Sequence, residues 1–299
     1  LASEVNSVTL NSNRIPSAEG DNRKVQMDLI PSDMVQTIAV NKTLTPDMDA
    51  DAIGGSVNLI TRAASGGQRI SLTLSGGYNP IRNGATGSGS FVYGNRFFKN
   101  KLGIVLSAAY MNKNYGSDNI EAVWTEDDNG NVYVEEMDVR KYDVQRIRRS
   151  ANLNADWKIN DRNTLALDVM YNWRDDRENR YRTQYKDIES DGAGGYVGEI
   201  VRETKGGIND NRNKNRRLED QRVQSYALTG THLLSPKVDL DWNLSYAKAS
   251  EDRPHERYIE YKQEGVSITE DLSNPRLPYV YSPDQDYAWF AFDKLTEQH

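Results

Sequence analysis

From Arg69 to Tyr246 the chain alternates apolar and polar side chains at period two, in runs whose apolar lines end in aromatic residues. Ile70, Leu72, Leu74 and Tyr78 share one parity; Phe91, Tyr93 and Phe97 form a second line, and Leu102, Ile104, Leu106, Ala108 and Tyr110 a third. Ile147, Ala151, Leu153, Ala155 and Trp157 follow, then Leu165, Leu167, Val169, Tyr171 and Trp173 set against Asp168, Asn172 and Arg174. A weaker line holds Tyr226, Leu228 and Leu234, and the last holds Leu240, Trp242, Leu244 and Tyr246 against Asp239, Asp241, Asn243 and Ser245. Successive side chains of a strand point to opposite faces, so each run is a strand with one apolar face. Only a sandwich or a barrel uses many such strands.

Three details favour a membrane barrel. Leu165 to Trp173 covers nine residues, and a tilted strand needs ~9–11 to cross the hydrocarbon. Phe97, Trp157 and Trp242 stand at one end of the apolar lines, and Tyr78, Tyr110, Tyr171, Trp173 and Tyr246 at the other. Aromatic girdles at both interfaces have this form, whereas a sandwich puts its bulk mid-strand. Short turns at 98–101, 160–163 and 235–237 alternate with long polar connections, Gly116 to Asp138, Lys186 to Leu218 and Tyr258 to Tyr287. The charged run Arg174 to Arg180 carries no turn signal and reads as strand standing above the membrane. A mean hydropathy of -0.78 is compatible, because strands that alternate lipid-facing and water-facing residues average to a polar sequence. No apolar stretch approaches the ~20 residues of a membrane helix.

Other chemistries are poorly supplied. Cysteine is absent and the histidines are only His232, His255 and His299, so no metal site, cofactor or nucleophilic catalysis is expected. The net charge of -7 argues against a nucleic-acid partner. Asp127, Asn129, Gly130 and Glu136 fit calcium-loop positions, but Thr125 stands where the first carboxylate belongs, and a hairpin turn at Asn129-Gly130 accounts for the run better. The glycines from Gly192 to Gly198 lack dinucleotide-binding spacing and read as a loop tip. Glu135-Glu136 and Asp175-Asp176 point to opposite faces of a strand and make poor acid–base pairs. The sequence offers no enzyme.

The first 65 residues behave as a small α+β unit. Val5 to Leu10 and Thr37 to Val40 read as strands, Pro31 to Val35 as a helical turn capped by Ser32 or Asp33, and Ser56 to Thr61 as a further strand. Ile30, Pro31 and Asp33 precede a strand ending at Lys42; Ala52, Ile53, Gly54, Gly55, Val57, Asn58 and Thr61 follow in order. This ordered set resembles the end of the plug domain of TonB-dependent outer-membrane receptors, departing at Ser12, where the family often has Gly. The resemblance implies residues 1–65 as the C-terminal part of a plug and 66–299 as the first seven or eight strands of a transmembrane barrel. Such plugged barrels need ~22 strands, so the chain reads as a fragment. Its first residues show no leader, which suits a cytoplasmic protein or a mature fragment; the resemblance favours the latter. It further implies localisation in a Gram-negative outer membrane, lipid as surroundings, energy from TonB and import of a bulky nutrient: iron chelate, vitamin or oligosaccharide. Arg174, Arg180 and Arg182, which share lumen parity, with Tyr181, Tyr185 and Tyr196 nearby, are the candidate ligand contacts. The competing class is a secreted or surface β-rich glycan-binding module without transport.

Overall fold

The computed structural model describes residues 6–19, 24–43, 54–206, 216–270, 279–281 and 289–298. The fold is mainly β, in two sheets. The small one contains β1 (Asn6–Leu10), β2 (Asn13–Arg14), β3 (Val35–Asn41) and β4 (Gly55–Thr61) in the order β2-β1-β4-β3. β1 runs parallel to β4, and the other pairs are antiparallel. The expected helical component shrinks to two 3-10 turns, Met27–Leu29 and Ser32–Met34, among the described residues. Pro31 occupies the cap position of the second turn and no side chain caps it, so neither Ser32 nor Asp33 serves as expected.

The large sheet is antiparallel throughout: β5 (Arg69–Asn79), β6 (Gly84–Phe97), β7 (Leu102–Glu126), β8 (Val132–Asn160), β9 (Asn163–Ser190), β10 (Tyr196–Gly206), β11 (Arg217–Ser235), β12 (Val238–Glu270), β13 (Tyr279–Tyr281) and β14 (Trp289–Gln298). It does not close on itself in the described residues, and so forms a partial barrel. β10 and β11 occupy one column between β9 and β12. Lys205 of β10 pairs with Arg180, and Arg217 of β11 pairs with Glu178, two residues further down β9.

The long connections are therefore corrected. β7 continues to Glu126 and β8 resumes at Val132; the segment 186–218 contains β10; β12 runs to Glu270. In the upper extension charged residues dominate one face and the other is mixed, so the hydropathy alternation fades while the backbone ladder continues. β9, with 28 residues, extends about 90 Å at ~3.3 Å per residue, far more than a bilayer crossing requires.

Two of the upper hairpin tips, 127–131 and 191–195, are built alike. Asp127 Oδ1 accepts from the backbone N–H of Asn129 (2.9 Å) and Asn131 (2.8 Å), as Asp191 Oδ1 does from Ala193 (2.7 Å) and Gly195 (2.8 Å). Gly130 and Gly194 hold positive φ, +83° and +94°, conformations that glycine adopts without strain. The Asp127 carboxylate is thus engaged in a turn.

The core between the sheets joins Leu10, Ile15, Leu29, Ile30, Met34 and Leu59 of the small unit to Met170 and Val223 on the inner face of the large sheet. A second buried cluster, Val134, Met137, Ile188, Ile200, Val266 and Ile268, lies in the upper extension. Below it, the outer parity leaves Leu74, Leu106, Leu167 and Leu244 exposed, Leu244 at 69%.

Candidate functional site

The inner face of the large sheet grips the small unit through charge. Met27–Leu29 forms a 3-10 turn, and this presents Asp28 to the even-numbered, inward-facing arginines of β8 and β9. Asp28 Oδ2 accepts from Arg174 Nη1 at 2.5 Å and from Arg146 Nη1 at 3.2 Å, while Arg148 donates to the Asp28 carbonyl oxygen. Arg146 also makes a two-pronged pair with Asp176 (2.7 Å for both bonds), and Arg174 reaches Glu219 at 3.3 Å. Paired arginine–carboxylate forks of this kind are strong and geometrically specific. Lower on the wall, Asn154 donates to Thr61 of β4 at 2.8 Å and also to Asp168. Arg96 binds the linker carbonyl of Ala64 at 3.1 Å while paired with Asp156 at 2.5 Å.

A cleft of about 380 Å³ separates the turn at Ile30 to Asp33 from the wall, lined there by Ser88, Ser90, Ala109, Arg148 and Ser150. The wall is small-sided at this point, so the two bodies touch through Arg148 and leave space beside it. Among the described residues no group of acidic or histidine side chains could hold a metal ion.

The six candidate ligand contacts separate onto two faces. Arg174 is sequestered by Asp28 and Glu219, with a side chain only 7% exposed. Arg180 and Arg182 both bind Glu203, Arg182 at 3.2 Å. On the opposite face Tyr185 and Tyr196 pack against the upper apolar cluster, Tyr196 stacked on Tyr133 with ring centroids 5.2 Å apart, and Tyr181 is exposed. Above the arginines, Glu199 bridges Lys262 (2.6 Å) and Lys186 (2.9 Å). Burial pushes Glu199 up, but the hydrogen bonds from Lys262 and Lys186 outweigh it and hold the carboxyl below its usual range.

The plug-like motif residues have structural explanations. Asn58 ties down the β1–β2 turn: its Oδ1 accepts from Ser12 N–H (2.9 Å) and from the Thr9 hydroxyl (3.1 Å), and its amide donates to the Ser12 hydroxyl (3.2 Å). Ser12 has φ +66°, the left-handed region in which glycine is relaxed. Gly55 has φ +132°, and a Cβ there would lie 2.8 Å from the Asn41 carbonyl. The tight approach is therefore to β3. Arg62 Nε donates to the Asp33 carbonyl at 2.7 Å, joining the two ends of the motif, and Ile30 is buried while Val57 packs against the core. Ala52 and Ile53 lie outside the described residues. Sequence reasoning missed Asp28, Arg146 and Arg148. The arginines share the inward parity of Arg174 on the adjacent strand, where Arg148 is its register partner, but Asp28 has no periodic signal at all.

No protein-family model matches this chain, and no curated protein does. Its structure is similar to that of the ferric enterobactin receptor PfeA of Pseudomonas aeruginosa, at 13% identity and a TM-score of 0.42, over 89% of this chain and 49% of that one. It is also similar to BauA, the ferric preacinetobactin receptor of Acinetobacter baumannii (10% identity, TM-score 0.29, 99% and 60% covered). The siderophore receptor PiuA of the same organism follows at 11% identity and a TM-score of 0.30, with 90% and 57% covered. The chain spans about half the length of the first of these receptors.

Proposed function

We propose that this chain is part of a TonB-dependent receptor of a Gram-negative outer membrane, comprising the end of the plug and the first strands of the barrel that surrounds it. The observation that carries the reading is the contrast between the two faces of the large sheet. Its inner face holds the small sheet through the Asp28 arginines, Asn154–Thr61 and Arg96–Ala64. Its outer face presents unpaired leucines bounded by aromatic rows. In one register row Leu102, Trp157, Leu165, Gly230 and Trp242 stand abreast, and eight residues above Leu165 on the same strand comes Trp173. A sheet with one face dry against lipid and the other occupied by a plug is the construction of a plugged transporter.

Within this reading the whole receptor binds a scarce bulky nutrient outside the cell and imports it with energy from TonB. The plug holds the lumen closed until it is pulled, and the charged clasp is what resists the pull. The partners are lipid, the energy-coupling complex and a small-molecule or oligosaccharide substrate. The experiment is growth of a strain deleted for the full-length receptor on a panel of iron sources, vitamins and oligosaccharides. One specific growth defect, with the receptor found in the outer-membrane fraction, supports transport. A full-length protein that purifies without detergent as a folded monomer, binds glycans and confers no growth phenotype would establish the binding-module alternative.

A further inference from the structure

β7 extends well beyond its neighbour β6. The β6–β7 ladder ends at Gly87 and Asn112, and the β5–β6 pair closes at Asn79 and Gly84, whereas β7 stays paired with β8 as far as Glu126 and Val132. From Gly116 upward one edge of β7 therefore has no strand beside it among the described residues. Arg82, in the turn between β5 and β6, seals the lower end of this edge. Its guanidinium donates to the Ser117 carbonyl at 2.8 Å and to Asp118 at 3.0 Å, and its side chain lies over Gly116, where a Cβ would collide with it. Above that seal Asn119 to Glu126 is bare, about 26 Å of strand, and every residue from 117 to 124 is exposed.

An open edge offers a row of unpaired N–H and C=O groups, which proteins usually blunt with lysine, proline or a bulge. Residues 119–126 contain neither lysine nor proline. The local irregularity puts its extra residue, Glu135, in β8, so β7 itself stays regular. Ile120, Val123, Trp124 and Thr125 are strand formers, and the first three present exposed side chains. In a closed barrel the strand beyond β5 would stand three strand spacings, about 14 Å, from β7. Closure therefore does not fill the slot above the β5–β6 turn.

The charge around the slot selects its occupant. Residues 116–141 carry eight carboxylates against Arg140 and Lys141, with Arg82 docked beside them. The next tip, where Tyr196 stacks on Tyr133, adds Asp187, Glu189 and Asp191 against Lys186. Arg82 and Arg140 engage Asp118, Glu121 and Asp138, but Glu126, Asp128 and Glu135 pair with no cation among the described residues. A second copy of the edge fits poorly. Matching Ile120 to Trp124 in an antiparallel pair would set Asp118 opposite Glu126, and like charges abreast destabilise a sheet.

We infer that the upper edge of β7 takes an extended cationic segment of a partner protein by strand addition. Residues 119–126 supply the backbone hydrogen bonds, and lysine or arginine side chains of the partner face the acidic tip. In this mode main-chain bonding gives affinity and alternate side chains give specificity. The seat depends on strand lengths and charge alone, so it stands or falls separately from transport; within the membrane reading it faces the cell exterior.

The probe is an acetylated, amidated peptide alternating lysine and valine, titrated against the full-length protein. Hydrogen exchange should be fast at the 119–126 amides that do not face β8, and the peptide should slow them. The same peptide with two adjacent amides N-methylated, which blocks both of its edges, should bind at least about tenfold more weakly. The combined Glu126→Gln, Asp128→Asn and Glu135→Gln variant should lose on the order of tenfold in affinity for the lysine peptide. Asp161→Asn, in an exposed turn at the far end of the sheet, should lose none. Equal binding of the methylated peptide would reduce the effect to charge attraction and overturn strand addition, and equal binding by the triple variant would overturn the cationic partner. Edge amides already protected in the full-length protein without peptide, whether within one chain or in a dimer, would show the slot taken by the chain itself or by a second copy and overturn the seat.

Discussion

At the scale of single residues, Asp28 concentrates the contact between the two sheets. It lies at the surface of the small unit, but the groups it binds include the buried Arg174, and hydrogen bonds to charged partners contribute ~1.5–3 kcal/mol. Asp28→Ala should weaken plug seating by about that amount. Arg174→Ala should give a loss that is not additive with it, because both remove one interaction. Denaturant titration of the two single variants and the double variant measures the coupling, and sensitivity of intact cells to large antibiotics reports a loosened plug. Additive losses would show that the pair is incidental. Gly55 supplies a different constraint. With φ +132° and Asn41 O at 2.8 Å from any Cβ, Gly55→Ala imposes strain on the order of 1–3 kcal/mol. The expected outcome is a lower unfolding midpoint of the plug with barrel assembly unchanged; an unchanged midpoint would mean β3 and β4 part without cost. Glycine at this position was legible in the sequence. Its neighbour was not, because which strand approaches a glycine is a matter of pairing over long range.

At the scale of elements, the lower strands were legible and the upper ones were not, for one physical reason. In Leu165 to Trp173 the two faces meet different solvents, so the pattern records the strand. In β10 and the upper halves of β7, β8 and β12 charged residues occupy one face and mixed residues the other, and nothing but the backbone ladder marks the strand. Arg180, Arg182, Tyr181 and Tyr185 were grouped by nearness in sequence, and alternation then put the arginines and tyrosines on opposite faces. The upper extension also has a pH dependence. The Glu199 carboxyl is held low by Lys262 and Lys186, so the folded state keeps its charge where the unfolded chain would take a proton. Its contribution is complete above the ordinary glutamate range and is lost as pH falls through the lower folded value. Hydrogen exchange at the β10 amides should accelerate as pH is lowered through that acid window, after correction for intrinsic rates, and the Glu199→Gln variant should lack this step. An identical acid profile in the variant would remove Glu199 as its source.

At the scale of the whole molecule, a single sheet changes environment along its height: apolar outside and covered by the small sheet inside below, wet on its charged face with a separate apolar cluster above. The small unit could be recognised from its motif, since Asn58, Gly55 and the Ile30–Asp33 turn answer local geometric needs. Its seating on β8 and β9 depends on Asp28 meeting arginines more than a hundred residues away, which no local pattern encodes. A charge on the lipid side of such a sheet is costly near mid-depth, ~2–4 kcal/mol for arginine, so Leu167→Arg should destabilise the full receptor in lipid by that much. Asp168→Asn, which keeps a hydrogen-bonding partner for Asn154, should cost far less; the reverse order would invert the two faces. The most direct measurement is a nitroxide scan of positions 165–173 in the full-length receptor in bilayers, reading relaxation by oxygen and by a water-soluble nickel chelate. Labels at 165, 167, 169 and 171 should respond to oxygen, and labels at 166, 168, 170 and 172 to neither reagent strongly, because the small sheet covers them. Nickel-chelate access at 167 and 169 would contradict the account, since it would put water where the proposed membrane barrel has lipid.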